Sequence, residues 1–151
     1  MIAMIIFWAA GAFAVLLGLL HFTFATRFHY MKALPLQGPD VPPFKLWFYQ
    51  YPTKRSDLRG IIYVMNHCTS YTIVMAGVFD LCYQLWEGTL FGAFAALAVG
   101  GFWLVRAVSQ TYLGRRPGDW YVMALFTGLF LLHAMPIALV GVTAYSVGLN
   151  H

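Results

Sequence analysis

The chain has 151 residues, of which 61% are apolar, 18% aromatic and 9% charged, and its mean hydropathy is +0.71. That balance lies far from a water-soluble domain, and four spans of about 20 residues with their connections use nearly the whole length, so no separate soluble domain fits. A net charge of +4 would suggest nucleic acid in a soluble protein, but the basic residues here flank apolar spans and serve topology, which sets nucleic acid aside.

The first span covers residues 1–25. No basic residue precedes its apolar core, no small-residue cleavage pattern follows, and Arg27 and Lys32 come next, so it is expected to stay as a membrane helix rather than a cleaved signal. Ala10, Gly11, Ala14, Gly18, His21 and Ala25 share one face, the small-residue stripe that lets membrane helices approach closely, and His21 sits on it.

Residues 28–58 form the longest connection. Pro35, Pro39, Pro42, Pro43 and Pro52, with Gly38, forbid a continuous helix. The run Phe44-Lys45-Leu46-Trp47-Phe48-Tyr49-Gln50-Tyr51 suits a segment in the headgroup layer, an interfacial anchor in preference to a lid. Ser56 and Asp57 supply helix-start chemistry for the second span, residues 59–83.

The second span contains the polar run Asn66-His67-Cys68-Thr69-Ser70-Tyr71-Thr72. At about 100° per residue Tyr63, Asn66, His67, Ser70 and Gly77 fall on one face, which is expected to look inward because hydrocarbon offers no partner to a histidine or an amide. Cys68 points elsewhere, and about four turns separate it from Cys82, so the two cannot form a disulfide. The short Glu87-Gly88 turn implies an antiparallel neighbour, residues 89–112. In that third span Gly92, Ala95, Ala96 and Val99 line up with Phe102, Trp103, Arg106, Ser109 and Gln110. Arg106 either snorkels to the boundary or points inward.

Gly114 is expected to close the third helix, Arg115-Arg116-Pro117-Gly118 to turn the chain, and Asp119 to cap the fourth span, residues 120–147. In it Pro136 removes the helical partner of the Leu132 carbonyl, which predicts a kink beside His133. His133 is the deepest ionisable group. Its face carries Phe126, Phe130, Ile137 and Ala144, so only the cost of a lipid-facing histidine argues that it points inward, a weaker argument than that for His67.

All nine Lys and Arg residues lie within 27–59, at Arg106, or at Arg115 and Arg116, whereas the opposite side carries Asp80 and Glu87. The expected fold is therefore an all-α integral membrane protein, a single antiparallel four-transmembrane-helix bundle with a Pro-rich interfacial connection between helices 1 and 2. By the positive-inside rule both termini fall on the non-cytoplasmic side of a plasma or inner membrane. With about 1.5 Å of rise per residue, His21, His67 and Arg106 all come about 9 to 12 Å below the cytoplasmic boundary, and His133 about 20 Å below it.

A polar level shared by three helices admits several functions. The leading reading is a non-catalytic accessory or structural subunit of a larger membrane complex, or a homo-oligomer, in which polar groups hold helices together. A second is an electron-transfer protein: His21 and His67 facing each other would suit a b-type haem, with Arg106 for a propionate, and Tyr63, Asn66, Ser70 and His67 would suit a quinone head group. A lipid-modifying enzyme or small transporter is the third. A zinc or di-iron site lacks carboxylates at that level and His-x-x-x-His or Glu-x-x-His spacing, and no carboxylate is placed to orient a base for Cys68 or Ser70. Proton-coupled cation export needs an embedded carboxylate, and the only candidate, Asp80, is expected near the outer surface.

Overall fold

The computed structural model describes residues 1–34, 36–38, 41–46, 48–113 and 117–148. Four of its helices are long and apolar enough to cross a membrane, as the sequence leads one to expect: α1 (Ile2–Phe22), α4 (Arg55–Leu81), α6 (Leu90–Ser109) and α7 (Asp119–Gly148). Helices suit such apolar sequences because each satisfies its own backbone polar groups where no water can do so. Large apolar side chains are exposed on all four, for example Leu16, Val64, Phe91 and Leu131. The chain separates into two compact units, Ala9–Leu81, and Met1–Trp8 with Cys82–His151.

In the first unit α1 and α4 pack antiparallel. Gly11 lies against Gly77 and Asp80, and Gly18 against Ser70 and Val74, so positions descend in α4 as they rise in α1. The contact is close enough to require glycine: a Cβ on Gly77 would come within 2.6 Å of the Gly11 carbonyl oxygen. Gly11, Ala14, Gly18 and Ala25 are buried and Ala10 and His21 half-buried, which is the small-residue face read from the sequence.

α1 ends where Thr23 turns its hydroxyl back to the Leu20 carbonyl and accepts a hydrogen bond from Arg27 Nε. Two short helices follow, α2 (Phe24–Arg27) and α3 (Tyr30–Ala33), separated by His29 in the left-handed region at φ 50°. Described residues from 34 to 54 contain no helix, as the prolines require. They do contain a hairpin that the aromatic run had not suggested: β1 (Phe44–Leu46) pairs antiparallel with β2 (Tyr49–Tyr51), Lys45 opposite Gln50. Pro35 and Pro39 lie outside the described residues. α4 then starts at Arg55, earlier than expected, and Asp57 sits inside the first turn, where its carboxylate accepts the backbone N–H of Lys54 at 2.9 Å. This is the reach-back half of a capping box rather than an N-cap.

In the second unit α5 (Tyr83–Trp86) leads through Glu87 and Gly88 into α6. Gly88 adopts φ 73°, and Thr89 caps α6 by accepting the Gly92 N–H at 2.9 Å. α6 tightens into a 3₁₀ turn (Gln110–Leu113) before α7 returns antiparallel to it: Gly100 lies against Phe130 and His133, Trp103 stacks on Phe126, and Gln110 reaches Asp119. The expected closing Gly114 and the Arg115–Arg116 half of the turn lie outside the described residues; Gly118, in the other half, has φ 95°. Pro136 sits inside α7 without ending it.

Candidate functional site

The polar run of α4 is divided by the helix surface. Asn66 and Ser70 are buried, on a stripe that continues through Ile73, Gly77 and Asp80, whereas Tyr63 is half-buried and His67 is exposed. The expectation that His67 faces inward is therefore corrected. A stripe running 66, 70, 73, 77, 80 leaves residue 67 about 100° from its neighbour Asn66, beyond the edge of the packed face. The His67 ring lies 6.0 Å from that of Phe22 and 6.4 Å from that of Tyr63.

His21, Ser70 and Asn66 form one hydrogen-bonded cluster between α1 and α4. The Ser70 hydroxyl donates to the Asn66 carbonyl at 2.6 Å, and its oxygen lies 2.9 Å from His21 Nδ1. A serine has a single O–H, so once that proton is spent on Asn66 the Ser70 oxygen must accept from His21 Nδ1–H. This fixes the tautomer: neutral His21 carries its proton on Nδ1 and its lone pair on Nε2. The Asn66 amide donates to the His21 carbonyl at 3.3 Å, while its Oδ1 is buried with no hydrogen-bond partner. At the C-terminal end of α3, Arg59 Nε donates to the Leu34 carbonyl at 2.9 Å and Nη2 donates to the same oxygen, beside a small cavity that Arg55 and Leu58 also line.

The other two predicted site residues belong to the second unit. Arg106 places its guanidinium 5.2 Å from the centre of the Phe126 ring and donates from Nη1 to Gln110 Oε1 at 3.0 Å. Gln110 passes the link on to Asp119 at 2.9 Å, so the chain Arg106–Gln110–Asp119 ties α6 to the first residue of α7. His133 is completely buried, packed edge-to-face with Phe7 at 5.5 Å, and its Nδ1 lies 2.7 Å from the Leu129 carbonyl. A carbonyl can only accept, so His133 also carries a proton on Nδ1. The sequence ranking is thus reversed: His133 is the enclosed histidine and His67 the exposed one. Asp80 is packed inside the first unit, only 1% exposed.

One feature of the second unit had no counterpart in the sequence reading. A cavity of about 220 Å³ is lined by Phe7, Tyr83, Trp86, Glu87, Ala93 and Pro136, among others. Its signal was the aromatic pair Tyr83 and Trp86 three residues apart, directly followed by the only glutamate of the chain. Among the described residues no group of three or more His, Cys, Asp or Glu side chains could hold a metal ion. The chain matches no protein-family model, no curated protein and no solved structure.

Proposed function

We propose that this chain is a non-catalytic membrane subunit, working within a larger membrane complex or as a homo-oligomer. The observation that carries the reading is the His21–Ser70–Asn66 cluster, whose hydrogen bonds from His21 to Ser70 and from the Asn66 amide to the His21 carbonyl cross the α1–α4 contact. Polar side chains used in this way join helices. Arg106 supports the same view, because its described partners, Gln110 and Phe126, serve the α6–α7 contact. The reading takes the two antiparallel pairs as one four-helix bundle with its Pro-rich connection at the cytoplasmic surface and both termini on the other side. Lipid or partner subunits would cover the exposed apolar faces.

The test is made on the purified full chain in lipid nanodiscs. Native mass spectrometry is expected to show a defined oligomer or a co-purifying membrane partner in fixed stoichiometry. His21→Ala is expected to lower the unfolding temperature. A monomer of unchanged stability that carries a stoichiometric cofactor would overturn the reading.

A second reading is a membrane electron-transfer protein holding haem b or a quinone, and one observation favours the quinone form. Asn66 Oδ1 is buried and lacks a donor, and the hydroxyl of a reduced quinone would supply one. For haem, His21 and His67 would be the axial ligands. A visible spectrum and an organic extract of the purified protein decide between them: a Soret band lost in His67→Ala supports haem, and a quinone retained by the native chain but lost in Asn66→Leu supports the head-group site. Absence of both removes this reading.

A further inference from the structure

We propose that the cavity of the second unit binds a hydrophobic ammonium ion, either the head group of a choline-type lipid or a free organic cation. Three aromatic side chains, Phe7, Tyr83 and Trp86, line it and pack on one another. Phe7 and Tyr83 stack at 4.7 Å with 15° between their planes, and Trp86 stands edge-on to both, at 89° to Phe7 and 79° to Tyr83. Aromatic rings are negative on their faces and attract alkylated ammonium groups that come against them. Pro136 and Leu139 add apolar surface suited to alkyl substituents.

A carboxylate completes the charge complement. Glu87 lines the same cavity, and its Oε1 accepts the Tyr83 hydroxyl at 3.2 Å, which orients it toward the aromatic walls. None of the described residues lining the cavity is Lys, Arg or His. A carboxylate beside aromatic and apolar walls complements an alkylated cation better than a wholly apolar or a neutral polar ligand.

The backbone that holds these groups is built tightly. The Trp86 carbonyl accepts both the Thr89 N–H, at 3.2 Å, and the Thr89 hydroxyl, at 2.8 Å. The Glu87 N–H donates to the Tyr83 carbonyl at 2.9 Å. Gly92 must lack a side chain, since a Cβ there would stand 2.3 Å from the Trp86 carbonyl oxygen. The indole and the carboxylate are thereby positioned before any ligand arrives, which reduces the ordering cost of binding.

The experiment titrates benzyltrimethylammonium into the purified full chain in phosphatidylglycerol nanodiscs, which contain no lipid ammonium, and follows binding calorimetrically. Its neutral carbon isostere, neopentylbenzene, is the control. Saturable binding of the cation at least tenfold tighter than the isostere is expected. Glu87 is exposed, so Glu87→Gln should leave the fold intact and weaken the cation about tenfold without changing the isostere. Trp86→Leu should abolish cation binding; should that variant fail to fold, Tyr83→Phe, which releases Glu87 while keeping the ring, should weaken it severalfold. Repeating the titration in phosphatidylcholine nanodiscs separates the sources: a weaker apparent affinity assigns the pocket to the lipid head group, and an unchanged one to free organic cations. Equal binding of cation and isostere, or no saturable binding in phosphatidylglycerol, overturns the proposal.

Discussion

Ser70 has one proton and two neighbours that need it placed correctly, which makes it the most constrained side chain of the α1–α4 contact. Ser70→Ala removes the acceptor for His21 Nδ1–H and the donor to the Asn66 carbonyl. A buried polar group left unsatisfied costs about 1–3 kcal/mol, and membrane bundles fall toward the low end, so a loss of about 1 kcal/mol is expected in reversible unfolding from mixed micelles. His67→Ala should change the same measurement by less than about 0.5 kcal/mol, because the ring is exposed. An equal loss for both would mean that His67 carries a structural contact the geometry does not reveal. The sequence placed Asn66, Ser70 and His21 correctly and His67 incorrectly for one reason. Periodicity locates the centre of a helical face well, but at 100° per residue it cannot say on which side of the centre the packed edge stops.

At the level of elements, glycine contacts decide how closely two helices approach. Gly77 and Gly101 are both helical, yet a Cβ on the first would meet the Gly11 backbone and one on the second nothing within 4 Å. Gly77→Ala is therefore expected to force α1 and α4 apart and cost about 2 kcal/mol or more, in the range of overpacked cores. Gly101→Ala should be neutral or stabilise by up to about 1 kcal/mol, as alanine is the better helix former. Thermal unfolding of the two variants side by side checks the contrast, and equal effects would contradict the tight α1–α4 contact. The small-residue stripe of α1 was legible because glycine and alanine repeat on one face. α7 was not, because bulky residues surround His133 and suit lipid and protein equally. The β1–β2 hairpin was hidden by its composition: Phe44, Leu46, Tyr49 and Tyr51 alternate with Lys45 and Gln50 as strand residues do, but the same aromatics also describe a membrane belt.

For the whole molecule, the four spans were legible from hydropathy alone, whereas orientation rests on charge. Arg27, Lys32, Lys45, Lys54, Arg55 and Arg59 precede or begin α4, and Arg115 and Arg116 lie between α6 and α7; Asp80 lies at the end of α4 and Glu87 in the connection from α4 to α6, which carries no basic residue. Positive segments tend to be retained on the cytoplasmic side, so the proposed topology puts both basic connections there and the Glu87 turn outside. Two exposed positions report on this directly, Gln37 in the first connection and Leu85, 83% exposed, beside the Glu87 turn. With Cys68 and Cys82 first replaced by serine, Leu85→Cys is expected to react with a membrane-impermeant maleimide added to intact cells. Gln37→Cys should react only after the membrane is opened. The opposite pattern would invert the topology and move the 220 Å³ cavity to the cytoplasmic leaflet, where any organic cation would have to reach it from inside the cell.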